Sequence, residues 1–250
     1  MEISSHAAET EVEAHHWWFK GRRALFGRIL RKLGVSREAC ILDAGTSSGS
    51  NLRLLRDAGF ANFRGLEISE LAIEMCRRKG LGPIERGDVC SMPFANGTFD
   101  FVFATDIIEH VDRDDLALQE MVRVLKPGGY CLVTVPAFQS LWGHEDVKLH
   151  HKRRYRGRPL LAMVRAAGLE PVEWYYFNYL LFLPIWCVRR LAGLRAAPQR
   201  NETEFNAPIL NTVLAGIFGV DTRTAPVLKP GFGVSLLVLS RRPVAADDGT

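Results

Sequence analysis

The stretch from Cys40 to Ala58 constrains the fold more than any other part of the chain. Cys40-Ile41-Leu42 is a short apolar run that ends in an acid, Asp43, and opens into the small-residue turn Gly45-Thr46-Ser47-Ser48-Gly49. Leu52, Leu55 and Ala58 then recur at helical spacing. A strand running through a glycine turn into a helix is the first half of a βαβ unit. Such a turn lets the backbone approach a ligand closely, with its N–H groups facing that ligand.

The pattern repeats downstream. Phe63–Ile68 reads as a strand, Ser69 as a helix N-cap, and Leu71, Ala72, Met75 and Cys76 as the apolar face of a second helix. Ile84–Asp88 and Phe99–Ala104 read as further strands. A helix is expected from Asp114 to Leu125, stopped by the turn signal Lys126-Pro127-Gly128-Gly129, before a fifth strand, Tyr130–Val135. This alternation predicts a doubly wound α/β fold, a parallel sheet covered on both faces. Ahead of it, residues 9–33 read as a helix with the aromatic, basic centre His15–Arg23.

After Pro136 the alternation breaks. Residues 136–157 read as a long loop, Pro159–Ala167 as a helix and Leu169–Trp174 as a strand. Residues 175–231 form a large connection with helices expected near Tyr179–Leu194 and Pro208–Phe218, and Phe232–Ser240 is the final strand. Late insertions of this kind usually build a substrate pocket.

The 250 residues are 47% hydrophobic and 24% charged, enough for one large domain with a substantial core. Five scattered cysteines without a CxxC pair argue against zinc or a disulfide framework and for a reducing compartment. Met1–Glu13 is acidic and lacks an apolar segment, and Trp174–Val188 is short for a membrane span, so a cytoplasmic protein is expected. The net charge of +4 is uneven: Lys148, Lys152, Arg153, Arg154, Arg156 and Arg158 crowd one stretch. That stretch is either a solvated loop or an attractor of phosphate, nucleic acid or anionic lipid.

The acid at the turn discriminates between cofactors. A dinucleotide fingerprint needs GxGxxG and room for a pyrophosphate, whereas here only Gly45 and Gly49 are glycine and Asp43 would repel that anion. A ligand carrying an ammonium and a sulfonium suits Asp43, which favours S-adenosylmethionine over NAD.

Asp43-Ala44-Gly45-Thr46-Ser47-Ser48-Gly49 resembles the DxGxGxG first motif of class I S-adenosylmethionine-dependent methyltransferases, with Ser47 in place of the middle glycine. Glu67, Asp88, Phe99-Asp100, Glu109-His110-Val111 and Arg123–Gly129 match later motifs, and the resemblance covers about residues 12–242. It implies a Rossmann-like seven-stranded sheet with an antiparallel last strand and a helical insertion before it. It further implies one domain: a lid helix at 1–35, a cofactor core at 36–135, a substrate-side loop and insertion at 136–231, the final strand at 232–241 and a disordered tail at 242–250. Glu67 would hold the ribose hydroxyls and Asp88 the adenine amino group. Asp43, Gly45, Thr46, Ser47, Gly49, Ile68, Val89 and Thr105 complete that cofactor set. Trp18, Phe19 and Arg22 resemble an HWWFxxR signature of one subgroup, in which Trp18 and Arg22 would help cover the cofactor.

Methyl transfer needs a positioned acceptor and a base, and no protein nucleophile. His150-His151-Lys152-Arg153-Arg154-Tyr155 resembles an Asp…HxRRY signature of the same subgroup, with Asp146 as its acid. His151 is the expected base, with His110 and Tyr155 completing the catalytic set; Asp146, Arg153 and Arg154 are expected to bind substrate. Asp106, Glu109 and His110 are similar to a metal cluster of ubiquinone-pathway O-methyltransferases and would share a face in a helical segment. Because Glu-His-Val is widespread in methyltransferases that use no metal, none is expected here. The aromatic run Trp174–Trp186, followed by Arg189, Arg190 and Arg195, suits core packing, a lipid-substrate pocket or peripheral membrane contact. The leading expectation is O-methylation of a small-molecule or lipid-linked metabolite. The alternatives are an RNA methyltransferase using the 148–158 loop and a non-catalytic binder of cofactor or partner. No appended RNA-binding module or NPPY-like motif supports the first of these.

Overall fold

A computed structural model describes residues 15–192 and 208–244. Its strands are β1 (Ile41–Ala44), β2 (Phe63–Glu67), β3 (Ile84–Arg86), β4 (Phe99–Thr105), β5 (Leu125–Pro136), β6 (Glu170–Phe177) and β7 (Ser235–Arg241). The described helices are α1 (Trp17–Lys32), α2 (Ser50–Asp57), α3 (Glu70–Arg78), α4 (Asp114–Val124), α5 (His144–Lys148), α6 (Gly157–Ala166), α7 (Phe182–Ala192) and α8 (Pro208–Leu228). The strands form one seven-stranded sheet in the order β3-β2-β1-β4-β5-β7-β6. β1 pairs parallel with β2 and β4, β2 with β3, and β4 with β5. Gly128 N donates to Arg242 O (2.9 Å) and Arg242 N to Gly129 O (2.8 Å), so β7 enters antiparallel, as the resemblance implies.

The chain divides into two compact units. One takes residues 36–135, 157–174 and 237–250; the other takes the N-terminal stretch through Val35, 136–156 and 175–236. In the first, every residue of β1 is buried, as a central parallel strand requires. α4 buries Ala117, Leu118, Met121 and Val124 at helical spacing, and Leu52, Cys76 and Leu81 form a cluster joined by Phe63 and Ile84. In the second, α1 buries Leu25, Phe26, Ile29 and Leu30. It is tied to α8 by Trp17 N donating to Asn211 Oδ1 (2.8 Å) and by Arg28 donating to Thr222 O (2.9 Å).

Three sequence expectations are corrected. Lys126–Gly129 does not turn; it lies inside β5 as a bulge, since Phe99 aligns with Leu125 but Phe101 with Tyr130. Gly128 at φ +80° absorbs the kink that the extra residues impose. Residues 136–157 are not a featureless loop: they contain a 3-10 turn, Gln139–Leu141, the helix α5, and a parallel bridge between Ala137 and Tyr155. α8 runs past Phe218 to Leu228, and in that extension Asp221 faces inward and accepts from Asn178 N (2.6 Å) and Leu180 N (2.8 Å). The expected helix over 9–33 is described from Trp17 onward, its earlier residues up to 14 lying outside the described part.

Candidate functional site

The strand order reverses direction at β1, whose neighbours are β2 on one side and β4 on the other. In open α/β sheets, ligands bind at the carboxyl ends of strands flanking such a switch. The Gly45–Gly49 turn lies there. Gly45 N and Thr46 N both donate to Leu66 O (2.9 and 3.0 Å), which fixes the turn to the end of β2. Gly45 has φ +78°, and a β-carbon on it would lie 2.6 Å from Ile107. Gly49 has φ +88° and caps α2, and a β-carbon there would lie 2.7 Å from Leu81. Both positions therefore require glycine. Ser47 also adopts a left-handed φ, +48°, and its N–H donates to Glu67 Oε2 (2.8 Å).

Glu67 ends β2. Its Oε1 accepts from Ile68 N and Ser69 N, both at 2.9 Å, so three backbone donors hold the carboxylate in one orientation. Ser69 in turn caps α3 by accepting from Ala72 N. Ile68 is 64% exposed beside this carboxylate and offers an apolar surface at the turn. Asp88, just beyond β3, is exposed, and its Oδ1 accepts from Cys90 N (2.8 Å), while Val89 is buried.

Asn51 was not among the sequence candidates. Its amide donates to Asp43 Oδ1 (2.8 Å) and to Thr105 Oγ1 (2.9 Å), joining the ends of β1 and β4. A polar residue on the buried side of α2, eight positions after Asp43, was the available signal. The expected residues Asp43, Gly45, Thr46, Ser47, Gly49, Glu67, Ile68 and Thr105 thus meet around one turn. Three carboxylates, Asp43, Glu67 and Asp88, suit a ligand rich in hydroxyl, amino and cationic groups better than a pyrophosphate. The donor set therefore fits S-adenosylmethionine.

The later motifs prove structural. Arg123 pairs with Glu120 and donates to Met92 O (2.9 Å), Phe94 O (2.6 Å) and Asn96 Oδ1 (2.9 Å). Lys126 pairs with Asp100, whose Oδ2 also accepts from Cys40 N. Asp106, Glu109 and His110 do not share a helical face. The 3-10 turn begins at Ile108, and Asp106, at φ +53°, lies outside it and accepts from Thr134 Oγ1. Among the described residues these three do not form a single ligand set. Glu109 is buried and His110 half-buried.

In the other unit, the sequence candidates of the 144–156 segment converge on Asp146. This carboxylate is fully buried and accepts from His151 Nδ1 (2.8 Å), Arg154 Nε (2.8 Å), Arg154 Nη2 (2.9 Å) and Gly143 N (2.8 Å). Burial pushes its pKa up, but the bonds from His151 and Arg154, the Arg154 charge and the Gly143 N–H outweigh that and bring it down to about 2. An ionised Asp146 keeps a proton on His151 Nδ1, so the neutral ring carries its lone pair on Nε2. Arg154 also donates to Ala137 O (3.0 Å), which commits its guanidinium to holding the segment. Tyr155 is buried and paired through its backbone with Pro136 and Phe138, and Arg153 is half-buried. Of the basic stretch, Lys148, Lys152, Arg156 and Arg158 are exposed. Within the same unit, Trp18 stacks on Phe177 (6.1 Å between centroids) and packs against Phe218, with Arg22 over its ring at 5.4 Å.

Residues 42–133 match a family described as a methyltransferase domain. The chain is 30% identical over 192 residues, 72% of its length and 74% of the relative's, to the malonyl-[acyl-carrier protein] O-methyltransferase of Pseudescherichia vulneris. It is 34% identical over 98 residues, 38% of its length and 36% of the relative's, to a fatty-acid O-methyltransferase of Mycolicibacterium smegmatis. A solved S-adenosylmethionine-dependent methyltransferase from Thermotoga maritima shares the fold, with a TM-score of 0.60 over 96% of both chains at 19% identity.

Proposed function

We propose that this chain, which belongs to the S-adenosylmethionine-dependent methyltransferase family, methylates a hydroxyl oxygen of a small-molecule or lipid-linked acceptor. When bound, S-adenosylmethionine supplies an electrophilic methyl group on its sulfonium. Glu67 would hold the ribose hydroxyls, Asp88 the adenine amino group, and Asp43, itself held by Asn51, the amino-acid end. His151 would accept the acceptor's hydroxyl proton at Nε2 as the methyl group passes to the oxygen, O–CH3 forming as S–CH3 breaks to leave a neutral thioether. Asp146, held ionised, stabilises the resulting imidazolium.

The observation that carries the base assignment is the His151–Asp146 pair, 2.8 Å apart with the acid fully buried. Relatives named for malonyl-[acyl-carrier protein] and fatty acids support a lipid-linked class of acceptor, but as carboxylates those acceptors would need no base and do not support the hydroxyl. Of the basic 148–158 stretch, Arg154 is bound to Asp146, so an RNA acceptor would rest on the exposed Lys148, Lys152, Arg156 and Arg158. Incubation with methyl-labelled S-adenosylmethionine and host extract, followed by phase partition, tests the reading. Organic-phase or small-molecule label that survives mild alkali is expected for a methyl ether. Alkali-labile label would move the acceptor to a carboxyl group, and label confined to RNA would overturn the proposal.

A further inference from the structure

α8 is inverted relative to an ordinary surface helix. Its inner side carries Asp221 and Thr222 beside Phe218 and Ala225, all buried. Its outer stripe is Ile209, Val213, Gly216, Val220 and Val227, spaced to lie along one line of the helix. Ile209 and Val227 are 82% and 81% exposed. α7 has the same character: Phe182-Leu183-Pro184-Ile185-Trp186-Cys187-Val188 is apolar throughout, yet none of its described side chains is buried. The start of α7 and the end of α8 meet, since Tyr179 Oη bonds Thr224 Oγ1 (2.8 Å) and the Phe182 and Phe232 rings lie 5.2 Å apart. Leu180, Leu183, Leu228 and Phe232 are exposed around that junction.

The charges of these segments have one sign outward. Over residues 178–192 and 208–234 the acid is Asp221, which is buried and bonded to Asn178 N and Leu180 N. The exposed charges are Arg190, Arg223 and Lys229. No described helix is long and apolar enough to cross a membrane. An apolar face edged by cations, on helices that do not span, matches the physics of an interfacial helix: side chains enter the acyl boundary and cations meet anionic headgroups.

We infer that α7 and α8 dock this protein on the surface of an anionic phospholipid bilayer. The inference stands apart from the acceptor proposed above, and flotation reads it without turnover. The full chain is expected to float with phosphatidylglycerol vesicles at low salt, and much less with phosphatidylcholine vesicles. The triple variant Leu183→Glu, Val220→Glu, Val227→Glu loses flotation while keeping its melting-temperature rise with S-adenosylmethionine, which shows that it folds. Arg190→Gln, Arg223→Gln and Lys229→Gln each weaken partition to anionic vesicles about fivefold. Absence of flotation by the native chain at low salt, or unchanged flotation of the triple variant, overturns the inference. A dimer in sedimentation that the triple variant dissolves also overturns it, assigning the face to a second copy of the chain.

Discussion

Phe218 occupies the space that a side chain on Gly21 would need: a β-carbon built there collides with the Cδ1 and Cε1 atoms of the Phe218 ring. The contact between α1 and α8 is closed by an aromatic ring pressed onto bare backbone. Trp17 and Trp18 flank the same ring, at 5.2 and 5.0 Å between centroids.

Gly21→Ala is therefore expected to destabilise the protein by about 1–3 kcal/mol, the usual range for overpacking a tight contact. Gly21→Ala combined with Phe218→Leu should recover part of the loss, because the smaller side chain leaves room for the methyl group. Urea unfolding of the two variants measures this. Equal stability of native and Gly21→Ala protein would disprove the contact.

Glu67→Ala removes the carboxylate fixed by three backbone donors at the glycine turn. Loss of hydrogen bonds to a charged group costs about 1.5–3 kcal/mol, so the Kd for S-adenosylmethionine should rise about ten- to a hundredfold. Asn51→Ala should weaken binding less, since it frees Asp43 and Thr105 to move without removing either. Calorimetric titration ranks the two variants.

The Asp146 carboxyl lies at about 2 in the folded chain against 3.8 for the free group. A lowered folded-state value means that its contribution is complete above pH 4 and is lost as the pH falls towards 2. The contribution is about 2 kcal/mol. Asp146→Asn should flatten this part of the stability profile. It should also cost about 3–5 kcal/mol at neutral pH, where Arg154 would remain buried without its counter-charge. Unfolding measured across acidic pH checks both outcomes.

His151→Ala is expected to lower kcat about a hundredfold or more while leaving S-adenosylmethionine affinity within a few-fold of native. His151→Asn can still bond Asp146 but cannot take a proton, so it should be as slow as alanine. Rescue by asparagine would show that His151 positions the segment instead of acting as the base.

The sheet was legible wherever a strand is buried on both faces. Ile41–Ala44, apolar but for the acid Asp43, and Phe101–Ala104 are continuously buried runs, and such runs are what a parallel sheet selects. The glycine turn and Glu67 were legible because their chemistry is local. The bulge at Lys126–Gly129 was not, because its glycines signal a turn equally well and pairing across the sheet decides between the two. Asn51 and Asp221 were missed for a related reason: each serves partners distant in sequence, Asn51 at Thr105 and Asp221 at Asn178 and Leu180. Asp146 and Arg154 were legible as a motif, but their mutual pairing requires the fold.

The position of β7 has a consequence during synthesis. The strand of this sheet that is synthesised last is an interior one, inserted between β5 and β6. Until about residue 241 emerges, β5 and β6 each present an unpaired edge, the template on which nascent chains aggregate. A chain truncated before Ser235 would keep its glycine turn and Glu67 intact in sequence, yet should accumulate as insoluble material. Translation must therefore pass Arg241 before the sheet can close.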